Sequence, residues 1–576
     1  MNDDKLHMYR HSMAHVLAKA LTKLYPDVQL TIGPAIDNGF YYDIDLNKSI
    51  VPEDYEAIEK KMDEIIKNNE DFVRKEVSKK EALEMFKNNP YKCELINELG
   101  ADEVISVYYL GDDFVDLCRG PHVENTKYLR GFAYKINKVA GAYWRGNEKN
   151  KMLQRIYCLG FMDKNGLKEY VHMMEEAAKR DHRKLGKELQ LFFISEYSKG
   201  MPTYMPKGLI IKNELIKYWR EIHQKAGYIE IETPMAMNRQ LWEISGHWDH
   251  YKDNMYTFKC EDDTFAIKPM NCPGGMLYYM QNKHSYKEFP LRVGELGKVH
   301  RHEASGTLSG LLRVRCFTQD DAHIFMLPSQ IEDEIKNVMK LVDEVYSTFG
   351  LEYTVELSTM PDNHIGDLKD WELAETALEN ALKHMNMEYK INPGDGAFYG
   401  PKIDIHVKDC IGREWQCGTI QLDMQLPKRF NLTYVDENGE EKEPIMIHRV
   451  IYGSLERMMS ILIENFAGNF PLWLAPEQVR VLAISDEFND YAKEVLNKLQ
   501  EAGLRASFDN RSESISKKIK IGTQEKVPYL LIVGAKEREN KTASVRRLSK
   551  GDLGAKNVDE IINDLVTLVK NKTIEK

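Results

Sequence analysis

The sequence predicts an α+β protein built from several domains, and three observations support this. The chain has 576 residues, too many for one hydrophobic core, which suggests three or four domains. Its first and central parts mix helical segments with short strands and glycine-rich turns. Its last hundred residues alternate between strands and helices, which indicates a small α/β domain with a mostly parallel sheet.

The composition predicts a soluble cytoplasmic protein. Apolar residues make up 43% and charged residues 29% of the chain, and no run of about 18 apolar residues occurs that could cross a membrane. The start, MNDDKLHMYR, lacks the apolar core of a secretory signal. The eight cysteines show no framework spacing, as expected in a reducing compartment. The net charge of −11 argues only mildly against nucleic acid, because phosphate binding needs only a local basic patch such as RDHRKLGKE.

The first predicted domain spans residues 1–167 and begins with a helix over HSMAHVLAKALTKLY, whose apolar residues recur at helical spacing. A strand over GFYYDID, a charged helix from Pro52 to about Asn69, and short strands in VISVYYLGDDFVDL and GFAYKINKVAGAYW follow. Residues 168–188 are charged and periodic, which predicts one connecting helix.

The central domain is predicted over residues 189–473 and ends at the prolines of PLWLAP. The last domain covers residues 474–576. VRVLAIS, LRASFDN and PYLLIVG are its predicted strands, and DEFNDYAKEVLNKLQEAG and a basic segment are its helices.

One cysteine and two histidines of the central domain form a candidate metal site. Cys272 lies in MNCP, His323 in QDDAHIF and His448 in IMIHRVIYG. A zinc ion with three protein ligands keeps a position open for substrate or water, which is typical of a catalytic site. The spacing alone is weak evidence, because any chain of this length contains a cysteine and two histidines.

A nucleotide would have to be bound by side chains, since the central domain has no P-loop and no strand-following G-x-G-x-x-G. The guanidinium of Arg301, Arg313, Arg315 or Arg457 can bind phosphate with two parallel hydrogen bonds. Arg301 and Glu303 are predicted on the same face of a strand. Taken alone, that pair is better explained as a surface ion pair.

A second cluster is predicted in the first domain. His11 and His15 are four residues apart on the predicted helix, so both project to one side. Cys118 and His122 repeat the spacing, but Gly120 and Pro121 lie between them and indicate a loop. This combination is the pattern of a closed zinc site, whereas two helix histidines alone are more often packing or surface groups.

Longer motifs identify a family. Pro234 in YIEIETPMAMNRQLW, then Arg301-His302-Glu303, then GSLER at residues 453–457 follow the order of the three signature motifs of class II aminoacyl-tRNA synthetases. MNCPGG, LSGLLRVRCFTQDDAHIF, AFYGPKIDIHV, WQCGTIQLD and IHRVIYGSLERMM closely resemble the bacterial threonyl-tRNA synthetase family, and the resemblance covers nearly the whole chain. It implies an antiparallel-sheet class II catalytic core, an α+β editing domain before it and an α/β anticodon-binding domain after it.

The resemblance implies an enzyme that activates threonine with ATP, transfers it to the 3′ end of tRNA(Thr) and hydrolyses mischarged seryl-tRNA. The implied cofactors are one Zn²⁺ and the Mg²⁺ that accompanies ATP, and the implied partner, through the Pro234 motif, is a second copy of the chain. No membrane is expected.

Roles are implied residue by residue. Cys272, His323 and His448 would hold the zinc. The residues implied for ATP and the adenylate are Arg301 at the α-phosphate with Glu303 nearby, Arg313, Phe317 on the adenine, Gln416, Thr419, and Arg457 at the terminal phosphate. Those implied for threonine are Gln319, Asp321 and Tyr399, with Lys402 close to the amino acid. His247 in SGHW would lie near the terminal adenosine of tRNA and relay its proton.

The choice of amino acid predicts the editing site on chemical grounds. An apolar pocket separates threonine from its isostere valine only weakly, whereas an open zinc can bind both the amino group and the hydroxyl of threonine. Serine keeps the hydroxyl and lacks one methyl, which is worth about 1–3 kcal/mol or 10–200-fold, too little for translation. A second, hydrolytic site is therefore predicted. The resemblance assigns it to His11, His15, Cys118 and His122, with Asp116 as a helper and without a metal.

The tail carries the implied tRNA contacts. DNRSESISKKIK resembles the anticodon-binding segment, and the implied contacts are Arg511, Lys518, Glu537 and Arg546, with Asp509 also matching. Ser512 and Lys520 stand where relatives often have Asn and Arg, and lysine lacks the bidentate fork. The ubiquitin-like domain common at the front of the family is expected to be absent or truncated.

Three alternatives remain at this stage. A seryl or prolyl enzyme of the same class is disfavoured because the cysteine–histidine triad and the first-domain cluster occur together. A tRNA-sensing paralogue is disfavoured because Arg301, Glu303, Arg457 and all three candidate ligands are present. A standalone deacylase is disfavoured by the completeness of the central domain.

Overall fold

The computed structural model describes residues 3–100, 103–409 and 411–575. The chain divides into two compact units, residues 1–175 and 176–576. Over the described residues, every helix is too short or too polar to traverse a lipid bilayer.

The first unit packs a long helix, Asp3–Leu24, against antiparallel sheets, as the sequence predicts. Its larger sheet has the strand order Gln29–Leu30, Gly39–Asp45, Met152–Phe161 and Ala133–Tyr143, with Ala35–Ile36 also paired to Gly39–Asp45. A smaller sheet contains Phe72–Val77, Ile105–Leu110 and Val115–Leu117. The shorter helices are Pro52–Lys67, Lys79–Met85 and Pro90–Glu98. The apolar side of the long helix is buried in the core, which fixes the direction of its polar side chains.

The segment predicted as one connecting helix forms two helices, Lys164–Arg180 and His182–Glu188. Asp181 lies between them in a non-helical conformation, and its side chain accepts a hydrogen bond from the Arg183 N–H at 2.8 Å. Because such an N-cap satisfies a free N–H at a helix start, the charged run is interrupted without any glycine or proline.

The second unit is centred on an eight-stranded sheet. The strand order is Ile229–Glu230, Leu291–His300, Cys316–Met326, Ile445–Val450, Glu414–Asp423, Lys402–Lys408, Tyr353–Ser358 and Lys390–Asn392. Neighbouring strands are antiparallel, except at the two edges of the sheet, where each outermost strand is parallel to its neighbour. The antiparallel core implied by the resemblance is therefore confirmed.

Helices and small sheets surround this core. The helices are Pro206–Lys225, Arg239–Ile244, His247–His250, Cys272–Tyr279, Ile331–Phe349, Leu368–His384, Leu426–Arg429 and Leu455–Asn465. The small sheets contain Phe192–Ile194 with Pro202–Tyr204, then Ala236–Asn238, Asp263–Ile267 and Tyr256–Cys260, then His284–Ser285, Tyr434–Val435 and Glu441–Lys442. One prediction is wrong in detail: the strand Leu291–His300 ends before Arg301, so Arg301 and Glu303 lie in the following loop and do not share a strand face.

The last hundred residues form a five-stranded sheet in the order Ala506–Asp509, Val479–Ala483, Tyr529–Val533, Thr542–Arg547 and Gly551–Asn557. The three predicted strands are parallel, as expected, and the last two strands pair antiparallel, so the sheet is mixed and not mostly parallel. The missed strands form a hairpin with a weak strand signal: Thr542–Arg547 buries only Ala543 and Val545, and Gly551–Asn557 is polar and mostly exposed. The helices are Asn489–Glu501, Ile515–Gln524, Ala535–Asn540 and Val558–Lys570.

Candidate active site

The central sheet brings the three predicted metal ligands together. His323 and His448 lie directly opposite each other on neighbouring antiparallel strands, and Cys272 is the first residue of the helix Cys272–Tyr279. All three are buried, and one donor atom from each lies within 4.8 Å of the other two. Residues distant in the chain thus form one compact set of donors.

The orientation of these donors is compatible with a metal ion. His448 Nε2 lies 2.7 Å from the buried carboxylate of Asp423, which leaves the other ring nitrogen of His448 for a ligand. His323 Nε2 is buried without a hydrogen-bond partner among the described residues. Burial lowers the pKa of His323 to about 3, so its imidazole is neutral at pH 7, and burial raises the pKa of the Cys272 thiol. One sulfur and two imidazoles suit a borderline divalent ion such as zinc.

A cavity of about 340 Å³ opens beside this set. Its lining includes Cys272, Gln319, Asp321, Tyr399, Lys402 and His448. The Asp321 carboxylate accepts a hydrogen bond from Asn271 at 3.1 Å, and the Tyr399 hydroxyl donates to Gln421 at 2.7 Å. Every residue predicted for threonine except His323 therefore lines one small polar cavity next to the metal donors.

A second cavity, of about 380 Å³, contains the residues predicted for the nucleotide. Its lining includes Arg301, Glu303, Arg313, Phe317, Gln416, Thr419 and Arg457. The two cavities adjoin, because Arg301, Gln319, Gln416 and Thr419 line both. The arrangement suits an anionic molecule with an aromatic part placed next to a small polar one.

The arginines of this cavity are oriented by the protein itself. The Arg301 guanidinium lies 5.2 Å from the centre of the Phe317 ring and donates to the Pro269 carbonyl at 3.1 Å. Arg457 donates to the carbonyls of Leu312 and Gln416 at 3.1 and 2.5 Å. Because these bonds pre-position the cations, little rotamer entropy remains to be lost when an anion binds.

His247 is placed differently from the sequence-based interpretation. It is fully buried, and its Nδ1 lies 2.8 Å from Ser245 Oγ. Its Nε2 lies 3.1 Å from Met270 Sδ and 3.7 Å from Cys272 Sγ. Burial lowers its pKa to about 3. In this conformation His247 faces the metal donors and is not accessible to a macromolecule.

Sequence reasoning missed several buried carboxylates. Asp404 accepts hydrogen bonds from Gln416 and Thr419, and Asp423 orients His448. Glu456, in the helix that carries Arg457, accepts from the Thr318 N–H at 2.8 Å. Each lies within a motif that was recognised, but its partners come from other strands, which the linear sequence does not reveal.

The four residues of the first-unit cluster also come together. His11 and His15 lie on the long helix, Cys118 and His122 lie in a loop, and one donor atom from each is within 4.8 Å of the others. Cys118 Sγ lies 3.4 Å from His11 Nε2 and 3.2 Å from His122 Nε2. Burial lowers the pKa of all three histidines and raises that of Cys118 to about 11.

Asp116 lies at the edge of this cluster, 3.9 Å from His15 Nε2. Its carboxylate is also bound by the ammonium of Lys92 at 2.5 Å and by the hydroxyl of Tyr42 in a short hydrogen bond. Both Lys92 and Tyr42 are buried, and neither was predicted. The carboxylate beside the cluster is therefore held in place by two buried side chains.

The residues predicted to contact the anticodon differ in accessibility. Arg511 is bound to Asp509, with Nε to Oδ1 at 2.8 Å, and Arg546 lies on the strand Thr542–Arg547. Glu537 accepts from the Gly534 N–H at 3.0 Å at a helix start. Lys518 is only 3% exposed and donates to the Asp509 carbonyl at 3.2 Å. A direct contact between RNA and Lys518 is therefore not supported in this conformation.

Three family models match separate parts of the chain. Residues 256–466 match the tRNA synthetase class II core domain (G, H, P, S and T). Residues 478–568 match the anticodon binding domain, and residues 105–157 match the threonyl and alanyl tRNA synthetase second additional domain. The three matches follow the order of the architecture that the motifs implied.

Individual relatives agree with these matches. The chain is 57% identical to a threonine–tRNA ligase of Clostridioides difficile and 56% identical to one of Clostridium tetani, in each case over 98% of this chain and 88% of the relative. A crystal structure described as the RNA binding domain of threonyl-tRNA synthetase from Cryptosporidium parvum superposes with a TM-score of 0.66 and 40% identity, covering 67% of this chain and 98% of that one.

Proposed function

This chain belongs to the threonine–tRNA ligase family, and on that premise we propose that it activates threonine with ATP, transfers it to tRNA(Thr) and hydrolyses seryl-tRNA(Thr) in its first unit. The observation that carries the proposal is the contact between two cavities. One is lined by cysteine and histidine donors, and the other by three arginines and an aromatic ring. An amino acid and a nucleotide bound there would meet at their reacting ends.

We propose that Cys272, His323 and His448 hold one zinc ion. When bound, the ion supplies a Lewis-acid position that can take both the amino group and the β-hydroxyl of threonine. Gln319, Asp321 and Tyr399 would enclose the rest of the amino acid. Valine has no hydroxyl to place there, so the site would discriminate against it more strongly than an apolar pocket could.

In the adenylation step the threonine carboxylate attacks the α-phosphate of ATP and pyrophosphate leaves. Arg301 would neutralise charge at the α-phosphate with Glu303 beside it, while Arg313 and Arg457 would bind the leaving phosphates together with Mg²⁺. Phe317 would stack on the adenine. Gln416 and Thr419 would bind the adenylate, and Lys402 would bind the carboxylate end of the amino acid.

In the transfer step a hydroxyl of the terminal adenosine attacks the threonyl carbonyl and AMP leaves. We propose that His247 accepts the proton of that hydroxyl through Nε2, because Nδ1 is occupied by Ser245. Its burial means that the ring must become accessible when the tRNA end enters.

In the first unit, His11, His15, Cys118 and His122 would activate a water molecule against the ester of seryl-tRNA without a metal. Buried neutral imidazoles are able to accept the proton of that water. Asp116 would keep the proton acceptor oriented, and it is itself held by Lys92 and Tyr42.

The wider organisation is also a proposal. The domains would be an editing domain (residues 1–167), a connecting region (168–188), a catalytic domain (189–473) and an anticodon-binding domain (474–576). The protein would be a cytoplasmic homodimer. Arg511, Glu537 and Arg546 would contact the anticodon loop, and Lys518 would instead hold the backbone carbonyl of Asp509.

The test is amino-acid-dependent exchange of pyrophosphate into ATP, combined with metal analysis of the purified protein. Exchange that depends on threonine and one zinc per chain are the expected results. Exchange that depends on proline, or on serine in preference to threonine, would contradict the proposal. So would a fully active protein that contains no zinc.

A further inference from the structure

Asp404 binds four hydrogen-bond donors on one buried carboxylate. It is 1% exposed. Its Oδ1 accepts from Gln416 Nε2 at 2.5 Å and from Thr419 Oγ1 at 3.1 Å. Its Oδ2 accepts from Ser358 Oγ at 2.7 Å and from the Lys402 ammonium in a short contact. A carboxylate has about four acceptor positions, so the group is saturated.

Three of these four donors line the substrate cavities. Lys402, Gln416 and Thr419 line the cavity beside the metal donors, and Gln416 and Thr419 also line the arginine cavity. Asp404 and Ser358 are not among the described lining residues of either cavity. The carboxylate therefore supports the shared wall of the two cavities from behind.

The strand register produces this convergence. Lys402 and Asp404 are two residues apart on one strand, so both side chains project to the same face. Thr419 is the cross-strand partner of Asp404 on one side, and Ser358 is the partner of Lys402 on the other. One carboxylate thus connects three neighbouring strands at the floor of the site.

The lysine shows why such an anchor matters. Lys402 Nζ also lies 3.0 Å from the carboxylate of Asp395, whose side chain is 59% exposed. An exposed ion pair contributes little on its own, whereas the buried contact with Asp404 defines one position for the ammonium. Without Asp404, the long side chain of Lys402 would have many rotamers available.

Resting on the proposed function, we infer that Asp404 is a positioning residue for the adenylation reaction. It holds the ammonium that meets the amino acid and the amide and hydroxyl that meet the adenylate, and so fixes them relative to one another before substrates bind. It does not touch substrate. Its contribution is preorganisation, in which a misplacement of about 1 Å can cost 100-fold in rate.

Asp404→Asn is the decisive variant, because it keeps the size of the side chain and one acceptor oxygen. The new amide must face either Lys402 and Ser358 or Gln416 and Thr419. An ammonium has no lone pair to accept a hydrogen bond, so the amide turns towards Gln416 and Thr419. Those two groups must then give up their present donor roles, while Lys402 loses its buried charged partner and keeps only the exposed Asp395.

Ser358→Ala is the matched control. It removes one donor from the same buried carboxylate, and thereby perturbs the same strands, without changing a lining residue of either cavity. The measurements are kcat and KM for threonine-dependent pyrophosphate exchange, together with the midpoint of thermal unfolding, for both variants and the unmodified protein.

We expect kcat of Asp404→Asn to fall by about 10–100-fold, with smaller changes in the KM for threonine and ATP. Ser358→Ala should retain most of the kcat of the unmodified protein, even if its unfolding midpoint falls by as much as that of Asp404→Asn. The double variant Asp404→Asn with Lys402→Met should lose less kcat than the product of the two single fold-losses, because the effects of residues in one hydrogen-bond network are not additive.

A kcat of Asp404→Asn equal to that of the unmodified protein would overturn the inference. The inference would also be overturned if Asp404→Asn and Ser358→Ala lost the same fraction of kcat and this loss followed the decrease in their unfolding midpoints. The role of Asp404 would then be structural. If Asp404→Asn does not fold, Asp404→Glu is the alternative variant, because it keeps the charge and moves it by one methylene. A lower kcat with an unfolding midpoint equal to that of the unmodified protein supports the inference. An unchanged kcat overturns it. Failure of the proposed function is distinguishable, since the unmodified protein would then show no threonine-dependent exchange.

Discussion

The protein contains two clusters of cysteine and histidine that look alike in the sequence and differ in their surroundings: the second-unit cluster is buried, and the first-unit cluster is partly exposed. In the second unit, the donors come from two paired strands and a helix start, and Asp423 occupies one nitrogen of His448. In the first unit they come from one helix and one loop, and the Nδ1 atoms of His11 and His15 are buried without a hydrogen-bond partner among the described residues.

The difference teaches how the same residue types serve different chemistry. A carboxylate on the far side of an imidazole fixes its tautomer and strengthens it as a metal ligand. Buried imidazoles without such a partner remain neutral and free to accept a proton. Ligand identity alone therefore does not separate the proposed metal site from the proposed hydrolytic one. The feature that differs is the carboxylate contact: Asp423 lies 2.7 Å from His448 Nε2, whereas Asp116 lies 3.9 Å from His15 Nε2.

The largest expected effect comes from breaking the second-unit cluster. Cys272→Ser removes one of three donors, so threonine-dependent exchange should fall by more than the roughly 10–100-fold that an outer contact contributes, and the zinc content should fall with it. The control is Cys260→Ser, which changes an exposed cysteine of the same domain and should alter neither. Full zinc content and normal exchange in Cys272→Ser would show that the cluster is not the metal site.

The next effect separates the two clusters functionally. His11→Ala combined with His15→Ala should leave threonine activation unchanged, because the two units carry different steps. The fraction of aminoacylated tRNA that carries serine should rise towards the error rate of the activation site without editing, about one in 10–200 at equal amino acid concentrations. The measurement is the seryl fraction of aminoacylated tRNA.

The control for this experiment is His7→Ala, which changes an exposed histidine one turn earlier on the same helix. It should leave the seryl fraction low. If the double variant behaves like His7→Ala, the first-unit cluster does not carry the hydrolytic activity.

A smaller effect sharpens the role of the outer carboxylate. Asp423→Asn preserves shape but removes the charge that orients His448, so metal affinity should fall by roughly 10–100-fold. Competition with a chromophoric chelator measures it directly. Asp436→Asn is the comparison, because the Asp436 carboxylate pairs with Lys442 and not with a histidine. Equal affinities in the two variants would remove Asp423 from the metal site.

The smallest effect is the pH dependence that His15 gives to the stability of the first unit. Burial holds the pKa of His15 well below 6.5 in the folded state, so the unfolded chain binds more protons below pH 6.5. The stability contributed by the neutral ring is present above pH 6.5 and is lost as the pH falls, by up to about 1.4 kcal/mol per pH unit.

Thermal unfolding of the first unit within the whole chain, followed between about pH 5 and pH 7, measures this dependence. His15→Gln should flatten the slope because glutamine does not titrate. An unchanged slope in that variant would assign the dependence to other groups.

Sequence reasoning reached the fold class and brought Cys272, His323 and His448 into one group, because long motifs and ligand types are readable along the chain. It did not identify Asp404 or Lys92, whose importance comes from cross-strand and loop partners that depend on register. It also missed the break at Asp181 and the polar hairpin of the last sheet. At Asp181 a local hydrogen bond determines the break, and in the hairpin the strand signal is limited to two buried apolar residues, Ala543 and Val545.

The direct opposition of His323 and His448 across two antiparallel strands has a consequence for how the enzyme matures. Side chains alternate between the two faces of a strand, so a slip of one residue would turn one imidazole to the far side of the sheet. Only in the correct register can His323 and His448 coordinate one ion together with Cys272. Metal uptake would then report that the central sheet has been assembled in the right alignment, and a misfolded chain would be recognisable by its failure to retain zinc.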